Sequence, residues 1–443
     1  MWGRNLVKEI LRLGGCGARI EQITARNYAE PDALVAPAHQ RPRISTGSAA
    51  GLLLTSRGLR AFGDGLVSLL LPVYLAQLGL SAFEIGALVT ATLAGSSILT
   101  LSVGLAAHRF SGRALLLAAS ALMIATGIGF SLVQDFWPLL LIAFVGTLNP
   151  SAGDVSLFLP LEQAQLSRLV ADRDRTAMFA RYSFIGSLAG AIGALAAGAP
   201  GVIAEELGFA PQLVLKASFV LYALLGATSL LLYRRLPNES APELRGAQRP
   251  LKRSRRIVLT LAALFSLDSF GGGFVVQSLL ALWLFERFGL SLSTAGAIFF
   301  WTGVLSALSY FVAVRISKRI GLVNTMVFTH LPSSVCLILV PFMPSLGPAV
   351  ALLLVRSALS QMDVPTRTSY VMAVVAPEER AAAASVTAVP RSLAAAASPV
   401  LAGLLLTGSS FGWPLLIAGG VKITYDLLLL ALFRKVRPPE ESG

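Results

Sequence analysis

Charge is scarce in this chain. Only 13% of its 443 residues are Asp, Glu, Lys or Arg, while 55% are hydrophobic; soluble domains carry roughly a quarter charged residues. A water-soluble fold of this size could not hide so much apolar surface, so the soluble globular classes are excluded. Cysteine is nearly absent, and Cys16 and Cys336 cannot build a disulfide framework. The three histidines, His39, His108 and His330, are scattered, with no metal-ligand spacing. A phosphate-cradling loop is also missing: Gly271-Gly272-Gly273 lies in an apolar run without the lysine a P-loop needs. With no nucleophile, metal or cofactor constellation, the chain reads as a non-enzyme that needs no cofactor.

Long apolar runs take the place of these features. From about residue 58 they follow one another at about 20 residues or more, the length a bilayer demands of a helix. Twelve are expected: 58–78, 83–107, 113–132, 137–165, 176–198, 212–233, 256–285, 292–314, 322–342, 349–375, 381–407 and 413–433. The longest polar gap separates the sixth from the seventh and ends in Arg249-Pro250-Leu251-Lys252-Arg253-Ser254-Arg255-Arg256. The fold class is therefore an all-α polytopic membrane protein of twelve transmembrane helices. Its expected organisation is a tail at 1–50, a six-helix bundle at 51–233, a basic linker at 234–256, a second bundle at 257–433 and a tail at 434–443. Residues 2–13 read either as an amphipathic surface helix or as part of a flexible tail.

The net charge of +13 does not mark a nucleic-acid binder, because it lies between the apolar runs and not on a soluble face. With the N-terminus inside, the basic residues Arg109, Arg113, Arg168, Arg173, Arg175, Arg315, Lys318, Arg319, Arg380 and Arg434 all fall on the cytoplasmic side. That asymmetry follows the positive-inside rule and places both termini in the cytoplasm. Arg outnumbers Lys 30 to 6, a bias that suggests a bacterial inner membrane protein. The two halves echo each other as well. Asp154-Val155 matches Asp363-Val364, and Ser187-Leu188-Ala189 matches Ser392-Leu393-Ala394, which points to a duplicated, pseudo-symmetric six-helix unit.

Two six-helix halves, a basic central loop and the turn Gly104-Leu105-Ala106-Ala107-His108-Arg109-Phe110-Ser111-Gly112-Arg113 together resemble the major facilitator superfamily of secondary transporters. The family pattern in that turn has an Asp-Arg pair between glycines; here His108 stands in the aspartate's place. Lys318-Arg319 marks the corresponding turn of the second half. The resemblance implies a monomer that carries a small molecule by rocking one half against the other around a midplane site. Gly104, His108, Arg109, Arg113, Lys318 and Arg319 would then form the gating loops.

Such a carrier, if driven by a proton gradient, needs an intramembrane acid that loads and releases a proton. Charged groups at that depth are costly and are usually kept for function. The proton-coupling candidates are Asp154, Asp268, Asp64 and Glu162. Asp154 and Asp268 lack a basic residue nearby on their own helices, whereas Asp64 has Arg60 four residues back. Asp363 and Arg367 share a helix face four apart and can pair, as can Lys422 and Asp426, which read as structural. The substrate-binding candidates are Asp363, Arg367, Arg391, Arg356, Gln277 and Tyr370. The expected activity is proton-coupled efflux by antiport. The alternatives are a proton symporter or facilitator of an organic anion, motivated by Arg356, Arg367 and Arg391, and a non-transporting scaffold.

Overall fold

The computed structural model describes residues 46–106, 110–151, 156–170, 172–237, 254–375, 379–434 and 436. Every regular element among them is helical, as lipid requires, because a spanning segment must satisfy its own backbone groups. In chain order the first half contains α1 (Thr46–Gln77), α2 (Ala82–Ala106), α3 (Gly112–Leu132), α4 (Phe136–Val145), α5 (Phe158–Leu169), α6 (Asp172–Ala196), α7 (Ala199–Leu207) and α8 (Pro211–Arg234). The second contains α9 (Arg255–Gly273), α10 (Gln277–Phe288), α11 (Leu292–Ile320), α12 (Leu322–Leu339), α13 (Leu346–Ser360), α14 (Asp363–Val374), α15 (Arg380–Ala397), α16 (Pro399–Gly408) and α17 (Trp413–Phe433). Ten stretches of the described residues are long and apolar enough to cross a membrane. Leucines such as Leu141, Leu224 and Leu404 stand exposed on the outer faces, where lipid rather than water suits them.

The sequence places one continuous helix in the fourth apolar run and one in the tenth. Each is instead a pair, α4 with α5 and α13 with α14, broken next to its polar island. In the fourth run α4 ends at Gly146 and the chain passes through Asn149-Pro150 before α5. In the tenth, α13 gives way at Gln361-Met362, where Pro365 sits in the first turn of α14, a position proline tolerates well. The first helix begins at Thr46, twelve residues before the expected start of its run, and so brings Ser56 and Arg57 inside it. The seventh and eleventh runs, each expected as one helix, are pairs as well: α9 stops at Gly273, the last of three successive glycines, before α10 starts at Gln277, and α15 ends at Ala397 just before Pro399 opens α16. Ser111 and Ser291 cap α3 and α11 by accepting from Ala114 N and Thr294 N.

The first half packs α1 against α6 and α8, and α3 against α8; the second packs α9 against α15 and α17, and α12 against α17. Between the halves, α1 meets α10, α6 meets α11, and α2 meets α15 and α16. These contacts seal one end of the molecule. Gln277 Nε2 donates to Ser68 Oγ at 2.9 Å, Val400 N to Thr90 Oγ1 at 2.9 Å and Phe83 N to Thr407 Oγ1 at 3.1 Å. Ser68, Thr90 and Thr407 all lie in the part of their helices away from the chain termini. Gly86 and Gly403 bring α2 and α16 into direct backbone contact there: a Cβ on Gly86 would sit 2.6 Å from the Pro399 carbonyl oxygen. The central space therefore opens toward the end that carries the termini.

Candidate functional site

Two clusters of buried charge lie inside the bundle, one in each half. In the second half, Asp268 of α9 is the hub. Lys422 Nζ donates to its Oδ1 at 2.7 Å, Arg367 Nη2 to its Oδ2 at 2.9 Å, and His330 Nε2 lies 3.7 Å from Oδ1. Arg367 also pairs with Asp363 on its own helix, and its guanidinium lies 5.1 Å from the Phe265 ring centroid. On its other side the His330 ring meets Asp426, with Nδ1 at 3.0 Å from the carboxylate. Four helices thus hold one network in which every carboxylate has a cationic or imidazole neighbour, as burial demands.

Two expected pairings are corrected here. Lys422 does not bond Asp426 four residues on; it crosses to Asp268, while Asp426 takes His330. Asp268, which has no ionic partner on its own helix, has three on others. In the first half Arg60 likewise ignores Asp64 at four residues and pairs with Glu162 of α5. Glu162 further accepts from Tyr182 and Tyr233 hydroxyls at 2.5 Å each, and Arg60 sits 4.0 Å from the Phe158 ring centroid. Glu162 is fully enclosed. Tyr182 is the one described member of this cluster that also lines the central cavity, so any proton exchange between Glu162 and the cavity would pass through it.

That cavity has a volume of about 630 Å³. Five cations border it: Arg57, Arg356, Arg367, Arg391 and Lys422, together with His330. Among the described residues only Asp268 and Asp363 supply carboxylates, so positive charge is in excess on the described wall. Arg57, which is not among the candidates named from the sequence, is a wall residue. It is 6% exposed, its guanidinium lies 5.1 Å from the Tyr182 ring centroid, and its Nε and Nη1 have no hydrogen-bond partner. The guanidinium rests on Gly186, whose bare backbone leaves it room. Arg57 lies eleven residues into α1, and an arginine at that depth of a membrane helix must have a polar surface to face.

Among the other candidates, Gln277, Asp363, Arg367, Arg391, Arg356 and Asp268 all border the cavity. Tyr370 does not: its ring packs on Phe433 and its hydroxyl donates to the Val436 carbonyl at 3.1 Å, on the side of α14 turned into the helix packing. Asp64 is buried beside Asn149 and Tyr222, away from the cavity wall. Arg113 donates to the Arg234 carbonyl at 2.6 Å, a tie within the first half. Gly104 falls in the last turn of α2, and Lys318 and Arg319 are exposed in the last turn of α11. Asp154, His108 and Arg109 lie outside the described residues.

The comparisons with known proteins agree with this architecture. A family model described as Major Facilitator Superfamily matches residues 53–360 and again 263–443. An uncharacterized membrane protein of Saccharomyces cerevisiae is 25% identical over 417 residues, covering 86% of this chain and 93% of its own. Among solved structures, a bacterial homologue of the human lysosomal transporter Spinster, inward-facing and unoccupied, superposes with a TM-score of 0.69 at 15% identity, covering 90% of this chain and 100% of that one. The nucleoside transporter NupG gives 0.65 at 14% identity with 87% and 99% covered. An inward-facing bacterial homologue of the iron transporter ferroportin gives 0.67 at 16% identity with 89% and 100% covered. The last three show a shared fold. Two helical halves around one central cavity, matched by the family model along nearly all the described length, mean that this chain belongs to the Major Facilitator Superfamily and is a multi-pass membrane transporter.

Proposed function

We propose that this transporter is a proton-coupled carrier of a small organic anion. It works as a monomer in the cytoplasmic membrane, with both termini inside, and draws on the proton gradient without a cofactor. The observation that supports this reading is the charge of the cavity wall, five cations against two carboxylates among the described residues. An anionic solute offsets that excess, whereas a cationic one adds to it. The end sealed by Ser68, Gln277 and their neighbours is then the outer one, and the cavity opens inward.

Asp268 is the best placed coupling group. Its carboxylate bonds both Lys422 and Arg367, so its protonation removes one negative charge from the wall and raises the cavity's attraction for an anion. Proton and anion then bind in concert from the same side, which makes the carrier a symporter. Efflux by antiport fits this cavity less well, because exchange at a carboxylate suits a substrate that competes with the proton for negative charge.

The test uses purified protein in liposomes. A pH gradient of one unit is expected to drive about tenfold accumulation of a transported anion per coupled proton, with protons moving in the same direction. Affinity for the anion should rise as pH falls. Asp268→Asn, which keeps the shape and removes the titrating group, should lose the gradient-driven accumulation while still exchanging anion across the membrane. Accumulation that needs protons to move the opposite way, or that survives in Asp268→Asn, would sink this mechanism.

A further inference from the structure

Two of the cavity's cations differ from the rest. Lys422 and Arg367 are committed to Asp268 and Asp363. Arg57 and Arg356 enter none of the ion pairs formed among the described residues. Glu162, the acid nearest to the Tyr182 ring on which Arg57 lies, already holds Arg60 and two tyrosine hydroxyls. Asp64, two turns along α1, acts on Arg57 only beyond ion-pair distance. Around Arg356, the neighbouring titratable group is the neutral thiol of Cys336, and Ser333 donates only to the backbone carbonyl.

The two arginines stand on different halves at similar depth. Arg57 rests on Gly186 of α6, and five residues farther along that helix Ala191 packs on Gly303 of α11. Three residues back from Gly303 toward the open end, Ser306 donates to the carbonyl of Ser357, next to Arg356. A solute in the cavity can therefore touch one arginine of each half.

We propose that the substrate is a dianion held between the halves, one negative charge on Arg57 of the first and the other on Arg356 of the second. This rests on the anion-carrier reading above. The argument is one of closure. When the halves rock over a bound solute, both guanidinium groups lose water, and a buried charge without a partner is strongly unfavourable. A monoanion leaves one arginine uncompensated at that step. A dianion satisfies both, so closing over a dianion is favoured above closing over a monoanion. Linear dicarboxylates and organic phosphate monoesters both supply that charge.

The experiment is titration of purified full-length protein, by calorimetry and by thermal shift, with linear dicarboxylates of increasing length, the matching monocarboxylates, glycerol phosphate, and organic cations of similar size. Either class of dianion is expected to bind at least about tenfold more tightly than the monoanions, since a second charge-assisted contact is gained; the dicarboxylate and phosphate arms say which source applies. Arg57→Gln and Arg356→Gln should each bring dianion affinity down to the monoanion level, and Arg57→Lys should retain part of the preference. Monoanions that bind as tightly as dianions to the unaltered protein, a result that needs no variant to fold, would overturn the dianion while leaving the anion carrier standing. A dianion preference that persists in either Gln variant would overturn it too. Binding of the cations alone would remove the anion-carrier reading itself.

Discussion

Glu162→Gln is expected to destabilise the protein by about 3–5 kcal/mol, the scale for removing one partner of a buried ion pair. Arg60 is 1% exposed and Glu162 fully buried, and the carboxylate also accepts from the hydroxyls of Tyr182 and Tyr233. The variant leaves the Arg60 guanidinium with no carboxylate at ion-pair distance among the described residues, Asp64 lying farther off, and weakens the anchorage of both tyrosines. Its midpoint of thermal unfolding in detergent should drop by many degrees. Replacing both partners, Arg60→Met with Glu162→Leu, removes the orphaned charge and should restore more than half of the loss. A Glu162→Gln protein as stable as the parent, or a double variant less stable than the single one, would show that the pair does not carry the packing of α1, α5 and α8.

The second large effect concerns alternation. At the sealed end α2 and α16 touch through Gly86 and Gly403, and a Cβ on Gly403 runs into the Ala82 carbonyl oxygen. Gly403→Leu should hold this end open. Overpacking costs about 1–3 kcal/mol, which shifts an open-to-closed equilibrium by about 5- to 150-fold. Gln277→Cys, in a background where Cys16 and Cys336 are replaced, reports the change: an impermeant thiol reagent should reach it much faster from the sealed side in the Leu variant. Net transport should fall in parallel, while thermal stability stays close to the parent because the contact lies between halves and not within one. Unchanged labelling would mean that α2 and α16 do not gate that end.

Much of the fold was legible because lipid imposes simple rules. Runs of about 20 apolar residues gave the all-helical membrane class, and the helix ends at Leu132, Arg234 and Phe433 fall within a residue of their expected places. The breaks in the fourth and tenth runs were not legible in that way. Hydropathy continues through both, and only the dipeptide Asn149-Pro150 and the polar cluster at Gln361 interrupt it. Charge pairing was legible for Asp363 with Arg367 and misleading for Lys422 with Asp426 and for Arg60 with Asp64. Spacing of four says that two side chains share a face. It does not say what else that face meets, and arginine and lysine are long enough to reach another helix. Arg57 escaped notice because its helix starts before the apolar run that announces it. His330 escaped because a lone histidine in an apolar segment carries no spacing signal, and only the bundle sets it between Asp268 and Asp426.

Gly186 carries no functional group, yet it fixes where the charge of Arg57 sits, because the guanidinium occupies the space a side chain there would fill. A single methyl at that position would displace the guanidinium from its seat beside Tyr182 and shift the positive centre within the cavity, with every charged residue unchanged. On the dianion reading, position 186 is in effect a spacer that sets the gauge between the two arginines. Carriers of this build could come to prefer longer or shorter solutes by a change in volume there, without any change in the chemistry that binds them.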